Sequence, residues 1–245
     1  MRTPPWTQPP MLAYAALRVY QVDQDKQFLA DLYPAMCKFY NFFFHHRDPK
    51  HHKLIGIIHP DESGEDNSPR FDKALRLPPQ HASEVNFAKR LELIEQNRVC
   101  DFSSDCMANF HWVRDVSFNA IFVRNLRDLV TIGRILGHTE AADRYDQLAQ
   151  AVTMAMRLFM MHPDGVMFST YGLNYRKIEV LTWAVFMPMF ARILTPDEAS
   201  MLVQKHLLNN KEFATPYGVP TVAQNQASFD PAGFWRGPVW LGANW

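Results

Sequence analysis

Residues 111–137 read HWVRDVSFNAIFVRNLRDLVTIGRILG. Phe118, Ile121, Phe122, Leu126, Leu129, Ile132 and Leu136 recur every three or four positions, the spacing of one buried helix face, and Gly137 supplies a stop. The same period extends outward. Pro9 and Pro10 fit a first helical turn, and Leu12, Ala15, Ala16, Val19 and Tyr20 follow at helical spacing. A second helix is predicted over 25–46, with Phe28, Leu32, Met36, Phe39, Tyr40 and Phe43 on its stripe. A third covers 82–98, where Glu84, Lys89, Arg90, Glu92 and Glu95 mark a solvent-exposed face. Downstream, helices are predicted over 139–161, 178–193 and 195–208, with a turn at 162–165 and an N-cap with proline behind it at Thr195-Pro196. No residue-level repeat is readable. The pattern is all-α, long paired helices joined by polar, proline-bearing loops at 47–80 and 209–245.

Composition narrows the class. The 245 residues carry 25 basic and 25 acidic side chains, which excludes a strongly basic nucleic-acid binder. With 47% hydrophobic and only 20% charged residues, the chain is no disordered segment and can bury a large core. Cys37, Cys100 and Cys106 match no zinc or redox spacing and make no disulfide framework, so reduced thiols and a cytoplasmic location are expected. The opening MRTPPWTQPP has no apolar run behind a charged head, and no apolar run approaches the length of a membrane span.

Two segments concentrate chemistry. Residues 59–72, HPDESGEDNSPRFD, place five carboxylates within fourteen positions. Clustered carboxylates repel, which raises the pKa of at least one and makes it a proton donor, and Asn67-Ser68-Pro69 favours a tight turn beside it. A solvated acidic loop or a weak calcium site fits the same composition, although positions 61, 65 and 66 do not follow the calcium-loop spacing. Residues 234–240, FWRGPVW, bracket Arg236 with Trp235 and Trp240, suited to stacking on sugar C–H faces or, equally, to core packing, with Arg236 a donor to hydroxyls or carboxylates or a structural ion pair. Gln8 stands before the first helix as a ligand donor or a cap. His45, His46, His51 and His52 are sequential neighbours that point apart, which suits a solvated helix end better than a metal site.

Taken in order, Thr7-Gln8-Pro9-Pro10, His59-Pro60 with Glu62-Ser63-Gly64 and Asp66-Asn67-Ser68-Pro69-Arg70, Pro216 to Thr221, and Phe234 to Trp240 with Asn244-Trp245 resemble glycoside hydrolase family 63. The likeness is strongest to its mannosylglycerate/glucosylglycerate hydrolase branch. The resemblance implies an (α/α)6 barrel and inverting hydrolysis of an α-glycosidic bond. It also implies that Asp66 is the general acid. Like-charge crowding by Glu62 and Glu65 is expected to keep its proton on longer than on a free aspartate. Gln8, Glu62, Arg70, Trp235, Arg236 and Trp240 are then expected around the sugar, with Tyr171 and Tyr175 as further cleft candidates. Such enzymes need no cofactor, because two carboxylates and a water suffice.

Two departures accompany the resemblance. Asp61 stands where the family commonly has tryptophan. The family's general base is a glutamate well beyond the WRGPVW segment, and six or seven long helices fall short of the twelve of a full barrel. Residues 1–245 are thus expected to be an incomplete (α/α)6 glycosidase domain with an active-site loop at 47–80, inactive alone, and prone to self-association through uncovered apolar faces. A trehalase-like or oligosaccharide α-glucosidase activity, or an inactive sugar-binding relative, is the alternative. The expected partner is a small carbohydrate.

Overall fold

The structure is a computed structural model that describes residues 5–244; Trp245, read above with Asn244, lies outside them. Its long helices are α1 (Leu12–Asp23), α2 (Lys26–His46), α3 (Ser83–Val99), α4 (Val116–Leu136), α5 (Thr139–Met160) and α6 (Pro196–Leu202), the last running on as a π turn over Val203–Leu207. A three-stranded antiparallel sheet of two-residue strands, β1 (Val113–Arg114), β2 (Thr170–Tyr171) and β3 (Arg176–Lys177), is laid in the order β1-β2-β3.

Capping chemistry sets the helix boundaries. The Asp25 carboxylate accepts from the Gln27 and Phe28 amides at the start of α2, and Asp115 accepts from Phe118 at the start of α4. Gly137 ends α4 in the left-handed region at φ 84°. Thr195 and Glu198 form a reciprocal capping box on α6. Helix α1 opens at Leu12, so Pro9 and Pro10 precede it rather than filling its first turn.

Helix α4 is the centre of the packing, meeting α5 along its length and α1 and α2 on its other side. Phe43 of α2 touches Phe118 and Phe122 of α4 at ring-centroid distances of 5.7 and 5.2 Å, all three fully buried. Asn125 ties the three helices polarly. Its Oδ1 accepts from the Tyr14 amide (2.8 Å) and lies 3.1 Å from the Tyr40 hydroxyl. Buried amide and hydroxyl groups thereby find partners inside the apolar stripe.

Two further expectations fail here. Residues 178–193 form no long helix. The backbone turns tightly where the Val180 amide donates to the Ile178 carbonyl (2.8 Å), then bridges Thr182 to Val222 before short turns at Trp183–Phe186 and Met187–Phe190. β-Branched residues and Pro188 favour that course over a helix. Cys100 and Cys106, expected reduced, are joined in a disulfide, and Cys37 is the free thiol. The pair flanks a short turn that brings the end of α3 back on itself, a proximity that spacing alone does not reveal. Among the described residues no helix is long and apolar enough to cross a membrane.

Candidate active site

The chain leaves α2 through Arg47 and enters a densely packed segment in which Leu54, Ile55, Ile57 and Ile58 are buried. The acidic residues follow on two short turns. Pro60 begins a 3-10 turn over Pro60–Ser63, the His59 ring accepts from the Asp61 amide (3.2 Å), and Gly64 closes the turn at φ 75°. Ser63 Oγ donates to the Pro60 carbonyl and accepts from the Glu65 amide (3.0 Å). Pro69 begins the second turn, Pro69–Phe71.

The five carboxylates divide into two groups. Three are buried, each facing an arginine. Glu62 accepts from Arg47 Nη2 (2.9 Å), from the Thr7 amide and hydroxyl (2.7 and 2.8 Å) and from the Ile58 amide (2.7 Å). Glu65 receives both terminal nitrogens of Arg70 (2.8 and 2.9 Å) and the Trp183 indole N–H (2.8 Å), while Arg70 Nε reaches Asp115 (2.8 Å). Asp72 receives the fork of Arg236 (3.0 and 2.8 Å). The other two, Asp61 and Asp66, are 38% and 26% exposed at their side chains and share Arg90 Nη1 at 2.7 and 2.9 Å.

These surroundings move the titrations. Burial pushes Asp72 up to about 6, against the opposing pull of Arg236. Burial also works to raise Asp115, but the Arg70 guanidinium outweighs it and holds the carboxyl below its ordinary range. Asp61 is likewise held low: desolvation works to raise it, and His59 and Arg90 overcome that. Asp115 and Glu65 together hold the Arg70 guanidinium charged against its own burial.

Several expected roles change accordingly. Glu62 and Glu65 do not crowd Asp66 as bare charges, because Arg47 and Arg70 compensate them. Glu62, Arg70 and Arg236, expected at the sugar, are 0%, 2% and 6% exposed, with their hydrogen-bonding groups turned inward. They build the loop rather than line a cleft. Arg236 fastens it from the far end of the chain, donating also to the carbonyls of Asn67 and Pro79 (3.1 and 2.6 Å).

The surface set gathers round Asp66. Gln8 is exposed and its Nε2 donates to the Asp61 carbonyl (3.1 Å). Asn67 Oδ1 accepts from the Trp235 amide (2.8 Å), tying the aromatic segment to the residue next to Asp66. Trp235 stacks on Trp240 with ring centroids 4.7 Å apart and planes 12° off parallel, and the Trp240 indole N–H donates to the Phe234 carbonyl (2.8 Å). Tyr171 is on β2. Tyr175 is occupied elsewhere, stacked on Phe159 (4.1 Å), beneath the Arg114 guanidinium (4.0 Å) and hydrogen-bonded to His52.

Arg90 is the site residue that sequence reading missed, since on α3 it looked like one charge of a solvated face. The available signal was Asn86 one turn before it, whose Oδ1 takes Arg90 Nε at 3.1 Å and aims the side chain inward. Trp183 was hidden by the expectation of a helix there. Among the described residues no group of histidine, cysteine or carboxylate side chains is placed to hold a metal ion. What the arrangement offers is a partly exposed aspartate on a rigid, buried ionic base, beside an amide and a stacked indole pair, parts suited to proton transfer to a sugar oxygen.

Comparison with known proteins bears on the family and the fold. The sequence model of the mannosylglycerate hydrolase MGH1-like glycoside hydrolase domain matches residues 1–245. A mannosylglycerate hydrolase of Thermus thermophilus is 29% identical over 266 residues, covering 98% of this chain and 62% of that protein. Mannosylglycerate hydrolase MGH1 of Selaginella moellendorffii is 26% identical, covering 98% of this chain and 54% of its own length. The crystal structure of a family 63 mannosylglycerate hydrolase from Thermus thermophilus in complex with Tris superposes with a TM-score of 0.87 at 28% identity, over 100% of this chain and 64% of that one. The chain therefore spans less than two thirds of the length of these relatives. Its helices follow the six-hairpin glycosidase architecture, and the chain belongs to the MGH1-like glycoside hydrolase domain family.

Proposed function

We propose that this chain carries the acid side of an inverting α-glycosidase that cleaves small α-glycosides of glycerate, with mannose or glucose as the sugar. Asp66 donates the proton to the leaving oxygen. A second carboxylate, sought in the part of the relatives' length that this chain does not span, activates water across the ring from roughly 6.5–9.5 Å away. The observation that carries the reading is the division of the carboxylates: of the five in residues 59–72, only Asp61 and Asp66 escape a buried arginine pair, and Asp66 opens the Asp-Asn-Ser-Pro turn. The relatives named for mannosylglycerate support the substrate class. Gln8 and Trp235 are the proposed sugar contacts, with Trp240 backing the Trp235 ring. No cofactor enters the reaction.

The test uses the enzyme as its source makes it. Asp66→Asn should lower kcat on mannosylglycerate by about 10³-fold while leaving its Kd within a few-fold, as expected for loss of a positioned acid. The first-formed sugar should have the inverted configuration by NMR. Full turnover in the variant overturns the reading. Calorimetric binding without turnover in the unaltered enzyme would instead favour an inactive sugar-binding relative, and turnover of trehalose in preference to mannosylglycerate would favour the trehalase-like alternative.

A further inference from the structure

Arg90 Nη1 is shared. It lies 2.7 Å from Asp61 Oδ1 and 2.9 Å from Asp66 Oδ2, with its Nε anchored on Asn86 and its own side chain only 15% exposed. A guanidinium confined to one carboxylate in a half-buried site favours the ionised form of that carboxylate. For a residue that must carry a proton to a leaving group, such a partner alone would be a handicap. Asp61 changes that balance, because a second carboxylate on the same nitrogen compensates the charge.

Asp61 is itself fixed. Its amide donates to His59 Nδ1 (3.2 Å), and its carbonyl takes the Gln8 amide. The His59 ring is buried, with Nε2 facing the Arg90 carbonyl at 3.1 Å. Since a carbonyl can only accept, Nε2 carries the hydrogen toward Arg90, while Nδ1 faces the amide and carboxylate of Asp61. Asp61 and Arg90 are thus held toward one another from both sides.

The other charged groups around Asp66 are already matched. On its own loop, Glu62 is paired with Arg47 and Glu65 with Arg70. Arg236, whose Nη1 reaches the Asn67 carbonyl, is paired with Asp72, beside which stands His81. On α3, Lys89 is paired with Glu92. The charge that Asp66 meets is set by Arg90 and by the share of it that Asp61 takes.

We infer that Asp61 is a positioning residue for the proposed reaction, drawing Arg90 into a shared ion pair so that the guanidinium aims Asp66 without claiming its charge outright. The inference rests on Asp66 as proton donor. It is tested by kcat against pH on mannosylglycerate for the full enzyme and for Asp61→Asn, Arg90→Gln and Asp66→Asn. The rate falls on the basic side as the donor loses its proton. Asp61→Asn leaves the Arg90 charge uncompensated and should move that limb about one unit toward acid; Arg90→Gln should move it toward base and lower the maximum as Asp66 loses its aim. If either limb coincides with that of the unaltered enzyme while Asp66→Asn has lost turnover, the inference is overturned. If Asp66→Asn keeps turnover, the assignment of the acid fails instead, and the role of Asp61 falls with it.

Discussion

Arg236 and Asp72, 164 positions apart in sequence, meet through two parallel hydrogen bonds of 3.0 and 2.8 Å with both side chains buried. This fork fastens the aromatic segment near the end of the chain to the acidic loop near its beginning. Replacing Arg236 by Met should cost about 3–5 kcal/mol at neutral pH, because it leaves Asp72 buried without its partner. Lysine should recover only part of that, since it cannot present two parallel donors. Urea denaturation at several pH values checks both statements. Asp72, pushed up to about 6 from an ordinary 3.8, holds in the folded chain a proton that the unfolded chain releases between those values. Its contribution to stability is therefore full below about pH 4 and lost as pH rises through 6, so the cost of Arg236→Met should shrink on acidification to pH 5.

His111 behaves oppositely. It is buried beside His59, neither ring nitrogen has a hydrogen-bond partner among the described residues, and burial pulls its pKa down to about 3. Between 3 and 6.5 the unfolded chain binds the proton that the folded chain refuses, so stability is present above 6.5 and drains away as pH falls. His111→Phe keeps an aromatic ring without the titration. From pH 7 to pH 5 the variant should lose about 2 kcal/mol less than the unaltered protein, read from denaturation midpoints. Equal losses would show that His111 takes up its proton alike in the folded and unfolded chains.

Gly56 marks the tightest backbone approach in the loop. A Cβ there would lie 2.2 Å from the Trp112 ring, which is itself buried, while the Gly56 amide is committed to the Arg47 carbonyl (2.9 Å). Gly56→Ala should destabilise by about 3 kcal/mol, the upper range for overpacking, and lower Tm accordingly. A near-neutral result would mean that Trp112 can leave its site freely.

The disulfide gives a direct chemical count. Of three cysteines only Cys37 should react with a thiol reagent in the unfolded, unreduced protein, and all three after reduction. Cys100→Ser should cost about 2 kcal/mol, a modest figure because the closed loop is short. Three reactive thiols without reductant would show that the bond does not form.

The helices of this fold were legible where one apolar stripe persisted, as from Phe118 to Leu136 on α4 and from Phe28 to Phe43 on α2. A stripe at helical spacing is a local signal and needs no knowledge of partners. The run from Ile178 to Thr182 lacked that safeguard. Its non-helical course ends in pairing with Val222 some forty residues on, through the Thr182–Val222 bridge. The site divides in the same way. Asp66 and Trp235 stood out through the order of their motifs, and the structure ties their segments together through Asn67. The destinations of Glu62, Arg70 and Arg236 could not be read, because a charged residue in a loop looks alike whether it meets a ligand or a buried counterion. Arg90 was obscured for the converse reason, a charge on a helix that looked solvated.

The buried pairs Arg47–Glu62, Arg70–Glu65 and Arg236–Asp72 also restrict how this loop can change over time. Altering one member strands the other, whereas exchanging both for well-packed neutral groups can be tolerated. Drift at these six positions is therefore expected to proceed through paired replacements, each first step crossing a valley in fitness. The exposed Gln8 strands no buried charge when it is replaced, so it can change in a single step. Diversification of sugar preference should begin at that rim while the ionic base beneath it stays fixed.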